Sequence, residues 1–164
     1  MELHGLLQTF PKYVKLFIAS FVVVLSIGYS TGLLFVRQTQ SVSPDGIEQN
    51  YLGNEAIENV KVMKFEKGAR EMLTIIHTHI LSMSFIFFFL GGLLAMTSIP
   101  KRWKAFLMIE PFFSILLTFG GIYFMWMGVT WLKYIVMLSG VLMTLAYFVS
   151  ASIVLYDCFK NKSI

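Results

Sequence analysis

The sequence predicts an all-α membrane protein with four transmembrane helices in an up-down bundle. The chain is 57% hydrophobic and only 13% charged, whereas about a quarter of the residues in a soluble domain are charged. Four separate apolar runs are each long enough to cross a bilayer, which takes ~20 residues. Lys and Arg cluster beside alternate ends of these runs, as is typical of topology determinants. We therefore expect residues 1–164 to form a single integral membrane domain.

The four predicted spanning segments cover residues 14–36, 72–98, 105–127 and 132–156. Inside lipid, backbone N–H and C=O groups must be satisfied within the segment, so each segment is expected to be a helix. The short connections between the second and third and between the third and fourth segments favour antiparallel neighbours. These features together indicate the up-down arrangement.

Residues 1–13 precede the first span and carry apolar residues at i, i+3, i+4 and i+7, namely Leu3, Leu6, Leu7 and Phe10. This spacing places them on one helix face, which predicts an amphipathic helix lying on the membrane surface. The alternative is a loosely ordered tail.

Basic residues predict the orientation of the bundle. They lie before the first span, in the "PKRWKA" hairpin after the second, and after the fourth. By the positive-inside rule both termini and this hairpin are cytoplasmic, and residues 37–71 form a roughly 35-residue extracytoplasmic loop. Within this loop "SPDG" predicts a turn, a short turn or helix is expected after Gly53, and helix is expected again from Phe65. A bacterial inner membrane is the expected location.

Small residues at helical spacing predict where the helices approach one another, because close packing in lipid relies on small side chains. The expected packing glycines are Gly28 and Gly32 in the first span, and Gly91, Gly121 and Gly140 in the later ones. In the second span, Thr74 and His77 share a stripe with Gly91, so this stripe is expected to face the bundle.

Two histidines, His77 and His79, lie within the second predicted span. At about 100° per residue they point to nearly opposite sides of one helix, so they cannot both be axial ligands of one haem iron. A haem b or copper site would need a methionine such as Met125 or Met137, or a second chain. The alternative is that the imidazoles make hydrogen bonds between helices or contact a quinone-like head group.

Glu110 is an acid inside the third predicted span. Burying a carboxylate is costly unless it is paired or protonated, and ionisable residues in spans are often functional. Glu110 is therefore a candidate for a proton relay or an ion site, with Tyr147 and Ser150 as expected neighbours. The alternative is an interfacial acid that reaches toward Arg102 or Lys104.

The sequence contains no G-x-S-x-G, H-E-x-x-H or phosphate-binding loop, and thus no complete active site. Its single cysteine, Cys158, excludes an internal disulfide and a covalent haem site. The net charge of +4 comes from the clusters beside the spans and gives no reason to expect nucleic-acid binding.

The sequence leaves three candidate functions open. The first is a small non-catalytic subunit or assembly factor of a larger membrane complex, with a respiratory complex as the specific expectation. Its partners would be lipid and either other membrane subunits or copies of itself. The second is an electron carrier that binds b-type haem or copper through His77 and His79. The third is a proton-coupled transport subunit that uses Glu110 and oligomerises, because four helices are few for a transport path.

Overall fold

The computed structural model describes residues 3–57 and 62–160. These residues are mostly helical and form no strand. The helices are α1 (Leu6–Thr9), α2 (Lys12–Gln38), α3 (Pro44–Leu52), α4 (Ala69–Ala95), α5 (Lys101–Ile115), α6 (Gly121–Trp126) and α7 (Lys133–Phe159). A π-helical turn, Leu116–Gly120, joins α5 to α6, and a short 3-10 turn, Thr130–Leu132, leads into α7.

Four of these stretches are long and apolar enough to cross a membrane: Lys12–Gln38, Ala69–Ala95, Lys101–Trp126 and Thr130–Phe159. The predicted all-α fold with four spans is confirmed. The side of the membrane that each end faces stays a prediction. We call the end that contains the start of α2, the α4–α5 turn and the end of α7 the basic end, and the opposite end, which carries α3, the loop end.

Helix α7 is the centre of the bundle and packs against α2, α4 and α5. Helix α4 also packs against α5, but it contacts α2 only sparsely. The two meet where Phe21 and Phe89 lie edge to face, with ring centroids 6.4 Å apart. The bundle therefore has an opening on the side between α2 and α4.

The N-terminal segment differs from the expected surface helix. It forms the single turn α1, in which Leu7 is fully buried. The Gly5 N–H donates to the Thr97 carbonyl and the Leu7 N–H donates to the Met96 carbonyl, both at 3.0 Å. These bonds attach α1 to the α4–α5 turn, because that turn offers carbonyls that have no partner within α4.

The loop between α2 and α4 also differs from expectation. "SPDG" begins α3 and is not a free turn, because the Ser43 hydroxyl accepts from the Gly46 N–H at 3.1 Å and Pro44 occupies the first helical position. The helix precedes Gly53. After Gly53, where the sequence predicts a short turn or helix, Glu55 and Ala56 form a turn in which the Ile57 N–H donates to the Asn54 carbonyl at 3.0 Å. Residues 58–61, into which the expected segment extends, lie outside the described residues. Phe65 lies outside any helix, and α4 begins at Ala69.

Two contacts hold the loop onto the bundle. The Lys133 ammonium group at the start of α7 donates to Asp45 and Glu48 of α3, each at 2.7 Å. The Trp126 indole N–H donates to the Lys67 carbonyl at 2.9 Å. The loop end is thus covered by a folded segment.

Candidate functional site: the polar column in the bundle core

A column of polar side chains runs along α5 and the π-helical turn, on the side that packs against α7. Glu110, Ser114 and Thr118 follow one another at intervals of four residues, which places them on one helix face. Ser114 and Thr118 are both buried. The Thr118 hydroxyl lies 2.7 Å from that of Ser139 on α7, so the column bridges the two helices.

Only one of the two carboxylate oxygens of Glu110 has a hydrogen-bond partner among the described residues. One carboxylate oxygen, Oε1, accepts a hydrogen bond from the Ser114 hydroxyl. The other, Oε2, is buried and has no hydrogen-bond partner among the described residues, and the same is true of the Ser150 hydroxyl on α7. Buried polar atoms in folded proteins almost always have a partner, so each exception calls for an explanation such as a water, a proton or an ion.

Glu110 and Ser150 lie at the same depth. Glu110 follows the start of α5 by nine residues and Ser150 precedes the end of α7 by nine residues, which puts each about 14 Å from the basic end at 1.5 Å per residue. Two polar groups without partners among the described residues thus share one layer of the bundle.

The expected alternative, an acid that reaches toward basic residues, does not describe Glu110. The Lys104 ammonium group donates to the carbonyls of Ala95 and Thr97, at 2.9 and 2.6 Å. Arg102 is exposed, and Glu110 takes part in no ion pair within the described part of the chain. Its charge is therefore not balanced by a neighbouring cation.

Two tyrosines continue the polar layer toward α2. Tyr29 and Tyr147 stack with their ring centroids 3.9 Å apart and their planes 7° from parallel. The Tyr147 hydroxyl lies 3.1 Å from that of Ser26, and the Tyr29 hydroxyl lies 3.4 Å from that of Thr144. Hydroxyl groups both donate and accept hydrogen bonds, so these four side chains can link α2 to α7.

The two histidines lie away from this column, and the structure differs from the expectation that His77 faces the bundle. His77 is exposed and lines a shallow depression with Arg70, Leu73 and Thr74. Between positions 73 and 86 no residue of α4 is fully buried, but Ile76, Ile80, Met83 and Ile86 are half-buried and pack against the core. The face of α4 that meets the bundle is therefore the one with these residues, and not the one with His77. Helical periodicity identifies a shared face, but it does not show whether a neighbour covers that face at every depth.

The histidine and methionine candidates do not converge. His79 is exposed, its Nδ1 lies 2.8 Å from the Ile75 carbonyl, and its ring lies against Phe119 at 5.0 Å. Met125 on α6 is fully buried and Met137 on α7 is half-buried. Among the residues that the structure describes, no group of three or more His, Cys, Asp or Glu side chains is placed to hold a metal ion.

The five candidate packing glycines have different surroundings. A Cβ atom at Gly121 would lie 2.8 Å from Val136 Cγ2, and one at Gly91 would lie 3.7 Å from Met108. A Cβ atom at Gly28, Gly32 or Gly140 would meet nothing within 4 Å. Within a single chain, Gly91 and Gly121 therefore lie in helix contacts, whereas Gly28 and Gly32 are exposed.

Sequence reasoning did not single out Asp157, which is only 1% exposed. Its carboxylate accepts from the Ser98 N–H at 2.5 Å, from the Ser98 hydroxyl at 3.0 Å and from the Gln8 amide at 3.2 Å. It therefore joins the N-terminal segment, the α4–α5 turn and α7. The available signal was an acid directly after the last apolar run, on the otherwise basic side.

Comparison with known proteins agrees with this architecture. A family described as a transmembrane helical domain matches residues 41–164, which is about three quarters of the chain. The chain belongs to the Aq_1264_TM family. The matched part contains α3 to α7, and thus Glu110, both histidines of α4 and Asp157, but neither α1 nor α2. No curated protein and no solved structure matches the chain.

Proposed function

We propose that this integral membrane protein is a non-catalytic subunit, or an assembly factor, of a larger membrane assembly. The observation that carries the proposal is His77, an exposed imidazole about 12 Å below the start of α4 at 1.5 Å per residue. Its side chain makes no hydrogen bond to any residue that the structure describes. At this depth lipid offers neither donor nor acceptor, so a partner that covers His77 lowers the cost of placing it there.

Other polar groups on the same helix support this proposal. Thr74, Thr78 and Ser82 are also exposed within the span. In membranes, helices associate through small residues and hydrogen-bonding side chains, and the exposed Gly28 and Gly32 of α2 fit the same pattern. The exposed phenylalanines and leucines elsewhere on the bundle need no partner, since they suit contact with lipid.

The identity of the partner is the finer part of the proposal. A respiratory complex in a bacterial inner membrane is the specific hypothesis that we retain from the sequence, and a second copy of this chain is the alternative. Purification from the native membrane in mild detergent distinguishes them, because the mass and composition of the complex identify each chain.

We call the exposed polar residues of α4, namely Thr74, His77, Thr78 and Ser82, its polar ridge. The test is to make two residues of this ridge apolar. We expect the double substitution Thr74→Leu and His77→Leu to reduce recovery of the assembly at least fivefold, since the hydrogen bonds to the partner are lost. Leu138→Ala is the matched control, because Leu138 is equally exposed but lies on α7. Native mass spectrometry measures the ratio of complex to free chain. A chain that purifies alone, or a complex unaffected by the double substitution, would contradict the proposal.

A second candidate function, a proton-coupled transport subunit, is favoured by the buried Glu110 Oε2 atom without a partner. A carboxyl group beside hydroxyl groups in the bundle core can take up a proton from one side of the membrane and release it to the other side. Because four helices leave little room for a path, this function also requires assembly with further chains.

Glu110→Gln tests this candidate, because glutamine keeps the shape and the bond to Ser114 but cannot exchange a proton. In proteoliposomes with a trapped pH-sensitive dye, we expect the assembled wild-type protein to dissipate an imposed pH gradient at least tenfold faster than Glu110→Gln. Ser152→Ala, an exposed change on α7, is the control. Equal rates for wild type and Glu110→Gln would remove this function. The alternative that His77 and His79 bind haem b or copper stays a prediction from the sequence.

A further inference from the structure

A deep apolar groove lies in the basic-end half of the bundle, at the opening between α2 and α4. Its volume is about 610 Å³, and every lining residue is apolar. Phe17 and Phe21 of α2 form one wall, Phe88 and Phe89 of α4 form the other, and Phe112 of α5 extends it. A volume of this size is typical of ligand sites, and the absence of polar groups from its lining favours a hydrocarbon chain.

Gly92 keeps this groove open. It lines the groove, it is exposed, and a Cβ atom added to it would meet nothing within 4 Å. The sparse contact between α2 and α4 leaves the same space unfilled by protein. A space of this kind cannot stay empty in a membrane, because its walls would lose their dispersion contacts. A chain from the surrounding lipid fills it.

The mouth of the groove is basic. Met108 lines the groove, and Lys101 precedes it by seven residues, or two turns, on the same face of α5. Lys101 and Arg102 are exposed, and no carboxylate pairs with either within the described part of the chain. The first turn of α5 holds no acid and has no side-chain cap, so its N–H groups add to the attraction for an anion.

We propose that this groove binds an anionic phospholipid, with an acyl chain between α2 and α4 and the phosphate group against Lys101 and Arg102. The apolar groove accounts for the chain, and the unpaired cations with the α5 N-terminus account for the charge of the head group. Basic pockets at helix ends are the usual sites for such lipids.

The experiment adds phosphatidylglycerol, or phosphatidylcholine with the same acyl chains, to delipidated full-length protein in detergent. Native mass spectrometry counts bound lipids, and the melting temperature reports stabilisation. We expect Gly92→Leu, which places a side chain in the groove, to need at least tenfold more phosphatidylglycerol for half-maximal binding. Gly28→Leu is the matched control, since Gly28 is an exposed glycine of a spanning helix with nothing within 4 Å. Unchanged binding in Gly92→Leu would overturn the assignment of the groove.

The head-group part has its own test. We expect the double substitution Lys101→Gln and Arg102→Gln to abolish the preference for phosphatidylglycerol over phosphatidylcholine, while Lys160→Gln, an exposed cation at the same end, preserves it. Equal binding of the two lipids by the wild type, or an unchanged preference in the double variant, would overturn the anionic assignment. Because both substituted residues are exposed, this test remains decisive even where Gly92→Leu does not fold.

Discussion

At the scale of single residues, Asp157, Lys104 and Glu110 differ in how their polar atoms are satisfied. Asp157 receives three hydrogen bonds, and Lys104 donates to two carbonyls. Glu110 has one bound and one unbound carboxylate oxygen. The first two are satisfied by chain segments at the basic end, where the α4–α5 turn leaves backbone groups free. Glu110 lies in the interior of a span, where the backbone N–H groups are already paired, so only side chains or a bound species can donate to its second oxygen.

Asp157 is the residue on which the basic end depends. We expect Asp157→Ala to destabilise the protein by about 3 kcal/mol, since it leaves the Ser98 N–H, the Ser98 hydroxyl and the Gln8 amide without an acceptor. Asp157→Asn keeps an acceptor oxygen and should cost less. Unfolding in mixed detergent measures both. The matched control is Asp45→Ala, because an ion pair of an exposed carboxylate such as Asp45 contributes little to stability. A loss no larger than in this control would contradict the role of Asp157.

At the scale of elements, the π-helical turn and two adjacent glycines set how α6 meets α7. Gly121 faces Val136 so closely that a methyl group would lie 2.8 Å from it, whereas a Cβ atom at Gly120 meets nothing within 4 Å. Alanine substitutions at these two positions therefore separate the effect of a steric clash on stability from the effect of helix propensity. π-Helical turns are rare and occur frequently at functional sites, and this one carries Thr118 of the polar column.

We expect Gly121→Ala to destabilise the protein by about 1–3 kcal/mol through overpacking, and Gly120→Ala to be neutral or stabilising by up to about 1 kcal/mol through helix propensity. The double variant Gly121→Ala with Val136→Ala should recover part of the loss, because the smaller side chain removes the clash. Melting temperatures in one detergent measure all three. If Gly121→Ala were as stable as Gly120→Ala, the close approach of α6 and α7 would be refuted.

At the scale of the whole molecule, the other three spanning helices lie around α7 without closing the ring. Because α2 and α4 hardly touch, the bundle presents a side opening, apolar at the basic end and bordered by small and polar residues nearer the loop end. This shape connects the two main proposals, which are a lipid in the opening at one level and a protein partner on the exposed polar ridge of α4. The family match, which begins after α2, covers the helices that carry both the ridge and the polar column.

The sequence by itself determined that this is a helical membrane protein with four spans, and it located each span to within a few residues. It also placed Glu110 inside the third span. These properties depend on local composition and helical periodicity, because lipid requires each apolar run to satisfy its own backbone.

Only the tertiary structure decided which faces are covered and which polar atoms find partners. It placed His77 outside the bundle, left Gly28 and Gly32 exposed, and joined Asp157 to residues more than fifty positions away along the chain. These outcomes depend on contacts between distant segments and on how far two helices diverge. Periodicity within one helix carries no information about either.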